Sequence, residues 1–161
     1  MQRSKLVPVF AALAALIVAT VAVAPVAAGS PQAVSITSPM HFNQDAFNTG
    51  TFTAEGDAAD DGLICESGDV VDTRIILAGG QSNRGLQIPV RKTFSCPDGD
   101  LFIKIQVHLD FATATETFSW VVLGGTGAYD GVRGSGSGTT IPDGSDPQTG
   151  NINTYTGFLL R

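Results

Sequence analysis

From Leu101 to Phe111 the chain alternates almost without a break. Leu101, Ile103, Ile105, Val107, Leu109 and Phe111 fall on one face, and Lys104, Gln106, His108 and Asp110 on the other, with Phe102 as the one apolar exception. A period of two is the signature of a half-buried strand. The next run repeats it in the opposite phase: Phe118, Trp120 and Val122 share a face, and Thr117, Ser119 and Val121 oppose them. A hairpin must bring the apolar faces together, because a slip of one residue sends every side chain to the wrong side. That parity predicts Val107 opposite Phe118 and Ile105 opposite Trp120, around a two-residue turn at Ala112 and Thr113; a four-residue loop, 112–115, keeps the same parity. Either register places Glu116 on the apolar face, near the turn.

Elsewhere the pattern is shorter but of the same kind. Ala33–Thr37 alternates as a first strand, 38–46 reads as a loop containing Pro39 and His41, and Phe47–Glu55 resumes strand composition. Leu63–Glu66 and Val70–Leu77 suggest a hairpin about Ser67, Gly68 and Asp69. Ala78–Arg84 reads as a loop. Gln87–Phe94 is strand-like, with Pro89 predicting an edge or irregular strand because proline cannot donate to a ladder. Cys96-Pro97-Asp98-Gly99 is a turn, and Asn153–Leu160 a final strand. No window longer than ten residues keeps a helical period free of glycine, proline or strand-like alternation. The class is all-β.

Composition adds a destination. Arg3 and Lys5 precede an apolar run, Leu6–Val23, that ends in Val26, Ala27, Ala28 and Gly29. This is the layout of a secretory signal peptide, predicting cleavage after Ala28 and a secreted protein, extracellular or in the cell-envelope space. Residues 29–161 then form one domain, with no membrane association once the leader is removed. The leader holds two of the nine basic residues and none of the fifteen acids, so the remainder carries a net charge of −8. Such a surface repels phosphate backbones, which argues against nucleic acid as a partner. Cys65 and Cys96 in an oxidising compartment predict a disulfide.

Candidate chemistry is sparse. No histidine, cysteine and carboxylate group has zinc spacing, and no nucleophile elbow is present; no metal or cofactor is expected. Glu55, Asp57, Asp60 and Asp61, and the pair Asp143 and Asp146, have calcium-type oxygen donors but no EF-hand spacing, and read as solvated turns. His108 and Asp110 lie on the polar face of their strand. Glu116 stands apart, as the one carboxylate that the hairpin parity turns inward: a rim residue if that end meets solvent, an acid or ligand contact if it is closed.

After Leu123 the chain reads GGTGAYDGVRGSGSGT. A phosphate loop of this composition needs a following helix, and Gly134, Gly136 and Gly138 alternate instead as in a strand where a wall bends or another backbone approaches. Gly124-Gly125-Thr126-Gly127-Ala128-Tyr129, followed by Gly131-Val132-Arg133-Gly134-Ser135-Gly136, resembles the G-G-T-G-x-[FY]-x-G-x-x-G segment of the allene oxide cyclase and dirigent superfamily, and Trp120–Leu123 before it is similar too. The resemblance covers about 30 residues. It implies an eight-stranded antiparallel barrel, or nearly so, with an apolar cavity and a tendency to form homo-oligomers; the residues themselves place Tyr129 as a plug at one end of the core.

Three functions follow. The leading one is a secreted, disulfide-stapled barrel binding a hydrophobic small molecule, with Ile105, Val107, Phe118 and Trp120 lining the interior and Glu116 at one mouth. The second, implied by the resemblance, is a cyclase or isomerase with Glu116 as its acid. The third is a non-catalytic interaction module with a filled barrel. A hollow or a filled interior decides among them.

Overall fold

A computed structural model describes residues 29–43, 47–76, 81–82, 85–145 and 150–161. The leader, Asp146 and most of the 78–84 loop lie outside the described residues. Among the described residues nine strands follow one another: β1 (Gln32–His41), β2 (Thr49–Glu55), β3 (Ser67–Ile75), β4 (Gln81–Ser82), β5 (Gly85–Cys96), β6 (Gly99–Asp110), β7 (Thr115–Gly125), β8 (Arg133–Pro142) and β9 (Gly150–Leu160). Eight of them, all but β4, form a ring of antiparallel pairs in which β3 pairs directly with β5 and β9 returns to β1. The result is a closed eight-stranded up-and-down barrel. The two-residue β4 adds a short ladder to β5 beyond the end of β3.

The central hairpin has the predicted register, with Val107 opposite Phe118 and Ile105 opposite Trp120. Its loop is four residues, 111–114, between the last pair Asp110 and Thr115, and Ala114 takes a positive φ of 52°. The turn centre at Ala112 and Thr113 is retained. One bulge near Phe102 leaves Leu123 unpaired and re-aims the strand end toward the glycine turn.

Several local expectations are corrected. β1 continues through Ser38–His41, where a loop was expected. Pro39 is tolerated because it falls in a gap of the β1–β2 ladder, between the pairs Thr37–Thr53 and Met40–Gly50, while the ladder to β9 is unbroken. Likewise β5 is an internal strand. Its Pro89 carbonyl accepts a bond from Ile76 N just past the end of β3, so the nitrogen of Pro89, on the same strand side, lies where the ladder has already stopped. The hairpin expected about 67–69 does not form. Ser67, Gly68 and Asp69 begin β3, and the chain before them crosses the barrel end with one helical turn, α1 (Asp57–Asp60), and a loop that buries Leu63 and Ile64. Those apolar residues cap the core where a hairpin would have exposed them.

Two ends result. The lower end, where β2, β5 and β7 finish, is closed by α1, by Leu63 and Ile64, by the Cys65–Cys96 disulfide and by Tyr129 in a 3-10 turn, 4% exposed. The disulfide joins residues 31 apart with Cα atoms 5.9 Å apart. Thr126 locks the glycine turn to β6 by exchanging bonds with Asp100, accepting at Oγ1 and donating from its backbone nitrogen. Above this end an aromatic chain crosses the barrel. Phe52 meets Phe94 at 5.0 Å, Phe94 meets Tyr155 at 5.7 Å, and Tyr155 meets Phe118 at 4.8 Å between ring centroids.

The alternating glycines of β8 serve this packing. A Cβ at Gly138 would stand 2.2 Å from the Phe118 ring, and one at Gly136 would stand 2.7 Å from the Trp120 indole. Side chains there would displace the aromatics. Trp120 instead lies against the β8–β9 wall, and its Nε1–H is shared between the carbonyls of Ser137 and Thr156, each at 3.2 Å.

Candidate functional site

The upper half of the barrel is built differently. Between the inner faces of the strands lies a cavity of about 450 Å³. One wall, from β5 and β6, is apolar: Ile88, Val90, Ile105 and Val107. Lys92 continues the β5 side of that wall, the other surfaces carry Asn48, Asp72, Asn151 and Asn153, with Glu116 on the β7 side, and Phe42, Asn43 and Ile75 stand at the rim. This size and this division, mostly apolar with a few convergent polar groups, are those of a small-molecule site.

The polar group has a definite construction. Asp72 on β3 and Lys92 on β5 are direct cross-strand partners, and each is in phase with inward apolar residues of its own strand. Lys92 Nζ donates to Asp72 Oδ1 at 2.5 Å, with both residues no more than 4% exposed. Asn48 Nδ2 donates to the other carboxylate oxygen at 2.9 Å, and the backbone of Asn48 accepts from Asp72 N. Asn48 Oδ1 in turn accepts from the rim nitrogen of Asn43. Further hydrogen bonds to a buried charge pair offset part of its desolvation cost. Here the carboxylate is met on both oxygens. Across the barrel, Thr140 donates to Asn153 Oδ1 at 2.8 Å.

Three nearby polar atoms are buried without a hydrogen-bond partner among the described residues: Ser38 Oγ, Asn151 Oδ1 and the Tyr155 hydroxyl. They come from adjacent strands, with Ser38 directly opposite Asn153 in the β1–β9 ladder and Tyr155 two residues below Asn153 on the same inner face. Burial, and secondarily the charge of Asp72, pushes the Tyr155 phenol well above its ordinary pKa. It is a neutral O–H throughout the physiological range.

The sequence-predicted residues divide between the two halves. Ile105, Val107 and Glu116 line the cavity, Glu116 half-buried opposite Leu109 and Thr140. Phe118 and Trp120 face inward as expected but belong to the packed aromatic floor below it, among core residues rather than the cavity lining. Gly124, Gly125, Thr126, Gly127 and Tyr129 form the turn at the lower end, and Cys65 and Cys96 form the disulfide there. His41 ends β1 on the exposed side, and His108 is exposed on the outer face of β6. Among the described residues no group of three or more histidine, cysteine and carboxylate side chains is placed to hold a metal, and no helix is long and apolar enough to cross a membrane.

Asp72, Lys92 and Asn48 were missed in the sequence reading. Their signal was present: Val70 and Asp72 are in phase, as are Val90, Lys92 and Phe94, so opposite charges sit at inward positions on two strands. Reading β5 as an edge strand hid it.

No family model matches the chain, and neither a curated protein nor a solved structure matches it.

Proposed function

We propose that this disulfide-bearing barrel is a secreted carrier or receptor module that binds a hydrophobic small molecule in its upper cavity. The observation that carries the reading is the contrast of the two interior halves: the lower is filled by interlocking aromatics, and the upper keeps about 450 Å³ beside four aliphatic side chains. Natural cores are close-packed, so a volume of this size with a polar cluster at its side has a use. Secretion is supported by the leader-like residues 1–28 and by the disulfide, which persists in oxidising compartments. The segment resembling allene oxide cyclases and dirigent proteins forms the lower turn and the β8 wall, away from the cavity, and the ligand-binding reading does not rest on it.

The test is titration of the purified protein with an uncharged naphthylamine fluorophore, beside a Val107→Phe variant that fills part of the cavity. Saturable one-to-one binding, weakened at least about tenfold by the variant, is expected. Absence of saturable binding to the unmodified protein overturns the reading.

A second reading, self-association, is favoured by a separate feature. Val121, Leu123 and Phe158 are exposed on the outer wall, where Val121 and Phe158 flank Ser135 in one cross-strand row. An apolar row on a barrel wall fits a second copy of the same wall. Sedimentation velocity separates a dimer or higher oligomer from a monomer, and a Phe158→Lys variant is expected to shift any oligomer toward monomer.

A further inference from the structure

This inference rests on the ligand-binding reading above and concerns the chemistry of the ligand. Lys92 has three ammonium protons, of which one goes to Asp72, and no other described residue takes up the remaining two. Behind the lining, and not part of it, the Tyr155 and Ser38 hydroxyls, both 0% exposed, have no partner among the described residues. At the lining itself the unused capacity includes the two remaining Lys92 protons, and Asn151 Oδ1 is an unpartnered acceptor among the described residues there.

We infer that the cavity takes an apolar ligand bearing an uncharged carbonyl acceptor, such as a ketone, ester or lactone, with the carbonyl oxygen directed to the Lys92 ammonium and the hydrocarbon body along Ile88, Val90, Ile105 and Val107. Charge selects against the ionic alternatives. The Asp72–Lys92 pair is neutral as a unit, and Glu116 adds one negative charge to the lining, so a carboxylate ligand would enter beside two existing carboxylates. An ammonium ligand would face Lys92, while both Asp72 oxygens are already bonded to Lys92 and Asn48. A carbonyl oxygen takes up unused donors without bringing a charge into the cavity.

Four probes of equal chain length test this: a linear methyl ketone, its parent alkane, the corresponding carboxylate and the primary amine, each measured by competition against the naphthylamine fluorophore. The ketone is expected to bind about tenfold or more tightly than the alkane, with the two ions weaker than the ketone. Tyr155→Phe removes a hydroxyl behind the lining that has no partner among the described residues, and serves as a control expected to leave the fold and both the ketone and the alkane affinity in place. Asp72→Asn combined with Lys92→Met removes both charges together, keeps a side-chain amide beside Asn48, and is expected to abolish the ketone advantage. Equal affinity for ketone and alkane, or a ketone advantage unchanged in the double variant, overturns the inference, leaves hydrophobic binding standing, and identifies the polar side of the cavity as a hydrated floor only. If neither fluorophore nor any probe binds, both readings fall.

Discussion

The two halves of this barrel solve opposite problems with the same strands. Below, β7 and β9 present Phe118, Trp120 and Tyr155 inward, the glycines of β8 make room for the first two rings, and a disulfide and a tyrosine close the end. Above, the same inner faces switch to Glu116, Asn151 and Asn153 opposite an aliphatic wall, and a buried ion pair takes the place of an aromatic contact. The lower half holds the barrel together by packing, and the upper half gives up packing for a cavity. Volume and polarity therefore change within about two inward positions on each strand.

The largest effect should come from unbalancing the ion pair. Lys92→Met alone leaves Asp72 buried without its counter-ion and is expected to destabilise the protein by about 3–5 kcal/mol in urea unfolding, with Asp72→Asn added to it restoring much of the loss. Equal stability of the single and double variants would show the upper half to be far better hydrated than its burial indicates. Reducing the disulfide or replacing both cysteines by alanine should cost roughly 3–4 kcal/mol, the chain-entropy value for a loop of 31 residues. Gly138→Ala pushes a methyl group into the Phe118 ring and should cost about 1–3 kcal/mol, while an alanine replacing a residue of the cavity wall, such as Val107, should leave the aromatic floor intact.

A smaller effect is pH-dependent. The folded-state pKa of Tyr155 is raised above the ordinary value of 10.0, so the folded protein keeps a proton that the unfolded chain gives up. Tyr155 therefore has its full stabilising effect below about pH 10, and stability falls as the pH rises from there toward the folded pKa. Tyr129, raised by burial and then by Asp98, adds to the same trend at the lower end. In alkaline denaturation the Tyr155→Phe variant should lose stability less steeply above pH 10. Glu116→Gln should change stability least, by no more than about 0.5 kcal/mol, since the side chain is half-buried at the rim and leaves no partner orphaned.

Much of the lower half was legible in the sequence. The alternation of Leu101–Phe111 against Phe118–Val122 fixed the hairpin register because only one parity joins the apolar faces, and the alternating glycines predicted a close approach inside a wall. The upper half was less so. A cavity is a property of what eight strands leave unfilled, and no single strand records it. Lys92 and Asp72 become meaningful only when β3 is known to pair with β5, and Pro89 argued against that pairing until its nitrogen was placed beyond the end of β3. Pro39 misled in the same manner, since a gap in one ladder is invisible in sequence. Leu63 and Ile64 read as a strand because burial in an end cap and burial in a sheet leave the same short apolar run.

The central claim, that ligand capacity belongs to the upper half alone, is tested most directly by methyl NMR during titration with the linear methyl ketone. Methyl resonances of Ile88, Val90, Ile105 and Val107 should shift saturably, while those of Val34, Leu101 and Leu159, buried in the lower half, stay in place. Shifts concentrated at Val34, Leu101 and Leu159, or no saturable shift at any of these residues, would contradict it.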